Sequence, residues 1–239
     1  MRDVKRVIKI ATMTEIIAHR GASAERHENT LAAFMRALDQ GADGIELDVH
    51  VTNDGVVVVH HDPVIRTAST GSPRPIARMS SAEVSALRLA SGDPVPTLDE
   101  TLEIVGDRAA VYVEVKAMGA EAALVACLRR HPGSRTAVHA FDHRIPVTVR
   151  ASLPDMPIGF LSALYPLDLG ALLTPAVPEA LWQHADMIDE PLVTAAHARG
   201  VRVIAWTVND AARARELLGL GVDALCTDTP GILRARLAG

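Results

Sequence analysis

The stretch from Gly41 to Pro63, GADGIELDVHVTNDGVVVVHHDP, constrains the possible folds of this chain more than any other. Its pattern predicts a strand over Gly44–Val51, a tight turn at Asn53-Asp54-Gly55 and a second strand over Val56–His60. Side chains along a strand alternate between its faces. Ile45, Leu47 and Val49 therefore share one face, and Glu46, Asp48 and His50 the other. Two carboxylates about 7 Å apart on one face are costly to bury unless something cationic sits between them. His60, His61 and Asp62 follow within a hairpin's reach. Acids and imidazoles crowded in this way point to a metal-assisted catalytic site.

The rest of the chain alternates strand and helix. Glu15–His19 reads as a short strand ending in His19-Arg20-Gly21. Asn29 or Thr30 caps a helix that runs to Gly41. Residues 64–110 are irregular, with Gly71, Pro73, Pro75, Gly92, Pro94 and Pro96 as breakers. Within them, Ser80 to Glu83 forms a capping box, and Thr97 starts a helix over Leu98–Val105. Strands then follow at 110–116, 136–141, 157–161, 185–189, 201–207 and 222–227. Helices lie at 121–130, after Asp142, from Pro191 to Arg199, from Asn209-Asp210 to Gly219 and from Pro230. The segment 163–182 has no clear pattern.

This rhythm gives roughly eight parallel strands. It allows an open doubly wound sheet or a closed barrel. No glycine fingerprint for a dinucleotide follows the first strand, and polar residues end strand after strand: His19-Arg20, Glu46 and Asp48, Glu114 and Lys116, Trp206. Barrel enzymes carry their chemistry at those ends, and 239 residues suit one such barrel. The expected fold is a TIM (β/α)8 barrel.

Net charge is −5, the 24 basic residues are scattered, and aromatic residues make up 3% of the chain. These values disfavour a nucleic-acid partner. Cys127 and Cys226 read as two buried free thiols, in keeping with a reducing compartment. Residues 1–13 read as a tail or an edge extension, because their apolar run is short and broken by Lys9. With no run near the length of a membrane span, the expectation is a cytoplasmic protein without stable membrane insertion.

The strand VYVEVK repeats the logic of GIELDV. Val111, Val113 and Val115 face the outer helices, while Tyr112, Glu114 and Lys116 face the barrel mouth. Glu46, Asp48 and Glu114 are then three carboxylates converging from two strands. An all-oxygen set suits a hard cation such as Mg²⁺ or Ca²⁺ better than zinc. A buried ion network with Lys116 and Arg20 is the plainer explanation of the same acids. His19 and one of His60 or His61 are candidates for general acid and base. Arg20 and Lys116 together suit a phosphate. Trp206 is either core or a pocket wall. His27, His50, His131, His139, His143, His184 and His197 read as structural.

The segments IIAHRGASAERHENTLAAF, GADGIELDVHVTNDGVVVVHHDP, VPTLDETLE, VYVEVK, VIAWTVND and GVDALCTDTP, in that order, resemble the glycerophosphodiester phosphodiesterase family. The resemblance covers residues 15 to about 230. It implies a TIM barrel spanning residues 1–239 with a small insertion after the second strand, at residues 62–110. It implies hydrolysis of glycerophosphodiesters to glycerol 3-phosphate and an alcohol, using a divalent cation. Glu46, Asp48 and Glu114 match the metal ligands, His19 and His61 the acid/base pair, Arg20 and Lys116 the phosphate contacts, and Trp206 a pocket-lining position. The His-Asp-Pro match selects His61 and leaves His60 structural. Glu28 and Asn29 sit in the Glu-Asn-Thr motif, read as shaping the first loop. His27 departs from the family, which usually has proline there.

Three other readings compete. One is a lysophospholipase D-like activity, favoured by the apolar residues 160–182. Another is a non-catalytic phosphate-ligand barrel. The third, a glycosidase built on the paired carboxylates, is weakened by the nearby Arg20 and Lys116.

Overall fold

A computed structural model describes residues 14–66, 72–174 and 176–238. The predicted tail at 1–13 and the breaker Gly71 lie outside them. In chain order the described residues form β1 (Glu15–His19), α1 (Leu31–Asp39), β2 (Gly44–Val51), β3 (Val57–Val59), β4 (Val64–Ile65), β5 (Arg74–Pro75), α2 (Ser81–Ser85), α3 (Leu98–Val105), β6 (Ala110–Val115) and α4 (Glu121–Arg130). Then come β7 (Thr136–Ala140), α5 (Arg144–Ser152), β8 (Ile158–Ser162), α6 (Leu169–Leu173), β9 (Ala180–His184), α7 (Glu190–His197), β10 (Arg202–Trp206), α8 (Ala211–Gly219), β11 (Ala224–Thr227) and α9 (Pro230–Ala238).

The strands run in the order β1-β11-β10-β9-β8-β7-β6-β2, and β1 also pairs with β2, which closes the barrel. Every pairing around this ring is parallel, and β3 alone adds antiparallel to β2. The chain is thus a closed eight-stranded parallel barrel with helices between its strands, the TIM architecture. Parallel strands direct all their C-terminal ends to one face, where barrel sites form.

Two apolar layers hold the ring. Ile45, Leu47 and Val49 pack outward with Phe34, Leu98, Leu102 and Leu124. A matching cluster on the other side joins Leu181, Leu192, Leu217 and Leu225. Burying the three β2 side chains is worth about 1.5–3 kcal/mol each. A one-residue slip would send them inward and drive Glu46 and Asp48 against the helices, so the outer layer sets the register that aims the acids inward. The inside of the barrel holds Ile17, Tyr112, Leu161, Trp182, Ile204 and Cys226. Both cysteines are free and buried.

Local signals account for the helix starts. The Thr30 hydroxyl caps α1, and Ser80–Glu83 and Thr97–Glu100 form full capping boxes on α2 and α3. Asp189 and Asp210 cap α7 and α8. Gly21 is required where it stands: its φ is +86°, and a Cβ there would lie 2.7 Å from the Ala33 backbone.

Two expectations are corrected. The ninth strand is Ala180–His184, and Ala185–Met187 is a 3₁₀ turn. Leu181 and Trp182 take the buried positions, while Asp186 and Met187 are exposed. Tyr112 does point inward, but away from the mouth, and its hydroxyl donates to Glu15 Oε1 at the opposite end. The unpatterned segment 163–182 holds α6 and the start of β9. Residues 64–66 and 72–89 add the β4–β5 ribbon and α2 over a small apolar cluster of Ile65, Ile76, Met79 and Val84. Among the described residues no helix is long and apolar enough to cross a membrane.

Candidate active site

The ends of β1, β2 and β6 and the loop after β3 converge on a cavity of about 120 Å³. His19, Arg20, Glu46, His61, Glu114, Lys116 and Trp206 line it, together with His139. Asp48 lies just behind this wall and is fully buried. A larger cavity of about 410 Å³ opens at the other end, between strand starts, and among the predicted site residues it has none on its walls.

Asp48 is the electrostatic hub. Its Oδ2 accepts a hydrogen bond from Asn29 Nδ2 at 2.8 Å, and its own backbone N–H donates to Asn29 Oδ1. Arg20 Nε approaches Oδ2 to 3.0 Å and Lys116 Nζ approaches Oδ1 to 3.2 Å. Neither approach has hydrogen-bond geometry, so charge draws these groups together. Burial works to raise the Asp48 carboxyl, but Lys116 and Arg20 outweigh it and hold it below its ordinary range. Lys116 also donates to Glu114 Oε1 at 2.7 Å. Glu28 takes the outer side of Arg20 at 3.0 Å.

Arg20 adopts a left-handed φ of 56°. For a residue with a Cβ that costs about 1–3 kcal/mol and persists only where surroundings enforce it. The turn aims its backbone N–H at Glu46 Oε2, 3.1 Å away, and its guanidinium at Asp48 and Glu28.

Each candidate histidine rests on a carboxylate. His19 Nδ1 lies 2.7 Å from Asp228 Oδ1, and Asp228 also accepts from Ser23 Oγ and Asn209 Nδ2. Burial pushes the Asp228 carboxyl up, yet the bonds from His19 and Asn209 bring it down to about 2. His61 Nδ1 lies 2.9 Å from Asp62 Oδ1, and His50 Nε2 donates to the His61 carbonyl oxygen at 3.0 Å. A carboxylate on Nδ1 fixes the proton there and leaves Nε2 as the basic nitrogen. His60 instead bonds the Val64 backbone, and burial lowers its pKa.

Trp206 walls the cavity. Its Nε1 is buried without a partner, and its ring meets Phe141 and His184 edge-on. Four residues join the site beyond the predicted set. Asn29 clamps Asp48, Glu28 holds Arg20, and Asp228 anchors His19. All three lie in the Glu-Asn-Thr and Thr-Asp-Thr-Pro motifs, which is the signal that marks them. The fourth is His139, read as structural; no local signal separates it from a core histidine.

The donors suit a metal ion. One oxygen each from Glu46 and Glu114 and a ring nitrogen of His139 lie within 4.8 Å of one another. Three inward carboxylates face two cationic side chains. Burial, and then the charges of Asp48 and Glu114, drive the Glu46 carboxyl well above its ordinary range. A divalent cation would supply the missing positive charge.

Known proteins bear on this arrangement. The family model described as "Glycerophosphoryl diester phosphodiesterase family" matches residues 19–232. A glycerophosphodiester phosphodiesterase of Caldanaerobacter subterraneus is 31% identical over 92% of this chain and 96% of its own length. The structure of an Oleispira antarctica phosphodiesterase, in complex with the product sn-glycerol-3-phosphate, is 28% identical with a TM-score of 0.87. The match covers 94% of this chain and 97% of that one. A glycerophosphodiester phosphodiesterase structure from Agrobacterium tumefaciens is 30% identical, with a TM-score of 0.79 over 93% of this chain and 100% of that one. With the family model spanning most of the barrel and all of its strand ends, this chain belongs to the glycerophosphoryl diester phosphodiesterase family.

Proposed function

We propose that this barrel hydrolyses glycerophosphodiesters to sn-glycerol 3-phosphate and an alcohol, through His19 and His61. Two imidazoles on one cavity wall, each with Nδ1 on a carboxylate, carry this reading. Each then keeps a basic Nε2, and both residues line the same small cavity, as an acid/base pair requires.

Glu46, Asp48 and Glu114 would hold a divalent cation, Mg²⁺ or Ca²⁺ by their oxygen chemistry. When bound, it supplies positive charge to the phosphate and acidifies a nearby hydroxyl. Arg20 and Lys116 orient the phosphate and balance charge developing on it. One histidine takes the proton of the glycerol 2-hydroxyl, whose oxygen attacks phosphorus. The other protonates the departing alcohol as its P–O bond breaks. Water then opens the cyclic phosphate with the two histidines in exchanged roles. Trp206 walls the glycerol side. The whole unit, 1–239, acts as one domain with 62–110 inserted, and the free thiols suit the cytoplasm.

The decisive assay follows release of glycerol 3-phosphate from several glycerophospho-alcohols, with chelator and metal add-back. Turnover that is lost with chelator, restored by metal and absent in His19→Ala and His61→Ala supports the assignment. A metal-loaded protein that binds these diesters without turning them over makes it a binding barrel instead. A second substrate class has its own support. Leu164 and Leu167 are 78% and 103% exposed on the loop after β8, and Phe141 is exposed after β7, all at the mouth. An apolar rim there suits the acyl chain of a lysolipid, and rates on micellar lysolipid against soluble glycerophosphocholine separate the two.

A further inference from the structure

His139 has a ring with unmet bonding capacity. The residue is 1% exposed, and its Nδ1 has no hydrogen-bond partner. Its Nε2 stands 3.8 Å from Glu46 Oε1. That is beyond hydrogen-bond reach, about 3.2 Å for nitrogen and oxygen. Buried polar groups are almost always satisfied, and an exception calls for a role or an ion.

The fold aims the ring at the acids. In the barrel register Asp48 is level with Glu114, and Glu114 with His139, so the three form one row across β2, β6 and β7. The imidazole stacks on Trp182 with ring centroids 4.3 Å apart and planes 9° from parallel. Gly159 is level with His139 on the next strand. A Cβ there would come within 2.8 Å of the indole and 3.1 Å of the His139 Cβ. The stack therefore depends on that glycine and holds the ring in one orientation.

The spacing matches a shared ion better than any direct contact. Two donors, each about 2.0–2.2 Å from one ion, stand about 2.8–4.4 Å apart, depending on the angle between them. The Glu46–His139 separation of 3.8 Å falls inside that window. A histidine merely packed in the core has no reason to sit 3.8 Å from one carboxylate and within 4.8 Å of a second.

We infer that His139 is a nitrogen ligand of the catalytic metal beside Glu46 and Glu114, and that it biases the site toward Mn²⁺, Co²⁺ or Zn²⁺ over Mg²⁺ and Ca²⁺. This rests on the reading above that those glutamates hold a metal. Imidazole strengthens binding of first-row transition ions, whereas Mg²⁺ and Ca²⁺ take oxygen ligands. The nitrogen thus replaces the all-oxygen preference expected from the three acids.

The test is Mn²⁺ binding to the full-length protein, read by calorimetry and by pulsed electron paramagnetic resonance for a directly bound ¹⁴N. Wild type is expected to show one imidazole nitrogen on Mn²⁺. In His139→Phe, which keeps a ring on Trp182, and in His139→Gln, the signal disappears. Mn²⁺ affinity then falls by about tenfold or more, while Mg²⁺ affinity changes by less than about threefold. Mn²⁺ bound in a way that needs Glu46 and Glu114, but without nitrogen, overturns the inference and leaves the metal reading intact. A nitrogen that survives in both variants assigns the signal to another histidine and overturns it too. Absence of Mn²⁺ binding, or binding undiminished in Glu46→Gln and Glu114→Gln, defeats the metal reading itself and this inference with it. If one variant fails to fold the other carries the comparison, and a wild-type spectrum without nitrogen overturns the inference by itself.

Discussion

His19 and Asp228 lie 209 residues apart in sequence and 2.7 Å apart in space. The bond ties the end of β1 to the residue following β11, the first and last strands of the ring in chain order, which pair side by side. Asp228 holds the imidazole by one nitrogen and so determines which nitrogen works.

Asp228→Asn should therefore act through His19. The amide keeps the shape but can present its N–H₂ to Nδ1, which favours the wrong tautomer. Turnover is expected to fall about 10–10²-fold, with KM changed less. Steady-state kinetics on glycerophosphocholine across pH 5 to 9 would show it, and an unchanged rate would make Asp228 a structural group only.

The same carboxylate carries a pH signature in stability. Its folded pKa, about 2, is below the ordinary value of 3.8. The folded state thus binds fewer protons between those values. The stabilisation is fully present above about pH 4 and is lost as pH falls toward 2. Allowing for partial solvent screening, it amounts to about 1–2 kcal/mol. Urea melts of wild type and Asp228→Asn should differ at pH 6, and the difference should shrink below pH 4 and close only below about pH 2.

Removing either imidazole should cost about 10²–10⁴-fold in turnover. His60→Ala, next in the chain to His61 but bonded to the Val64 backbone, should stay within about threefold. Parallel assays of His19→Ala, His60→Ala and His61→Ala check this, and a nearly normal rate in His61→Ala would remove it from the acid/base pair.

Asn29→Asp would face Asp48 with a carboxylate where an amide now donates at 2.8 Å. Two buried like charges that close repel strongly, and one must take up a proton. Turnover should fall more than about tenfold, and thermal stability should fall as well. Asn29→Ala separates the effects, since it removes the clamp without adding charge. Differential scanning calorimetry and the diester assay give both readouts.

Gly159→Ala tests the stack beneath the site. The new methyl would press on the Trp182 indole from 2.8 Å. Overpacking of this kind typically costs about 1–3 kcal/mol. A urea midpoint equal to that of wild type would mean the stack has room to yield.

The parts of this architecture that depend on local pattern were readable in the chain. Period-two alternation put Glu46 and Asp48 on one face of β2 and Glu114 on the matching face of β6. Capping residues marked the starts of α1, α2 and α3. Parallel closure could be inferred from the βα rhythm. Relations across the barrel were harder to read. His139 meets Glu46 only because β7 and β2 flank β6, and a lone histidine in the apolar run Thr136–Ala140 resembles core. Asp228 reaches His19 through closure of the ring. In β9, Gln183 and His184 interrupt the apolar run, and the strand lies five residues before the 185–189 that the pattern predicts, ahead of the turn that leads to Asp189. The burial of Trp182 shows where it belongs.

The His19–Asp228 bond also bears on when activity arises during synthesis. β1 is the first barrel strand made, and its partner β11 is the last. Until residues 224–228 have left the ribosome, β1 has one neighbour and His19 has no carboxylate. Contacts this distant along the chain form late. A nascent or truncated chain with most of its barrel built would still lack the carboxylate that orients His19, so the pair is completed only once the last barrel strand has emerged.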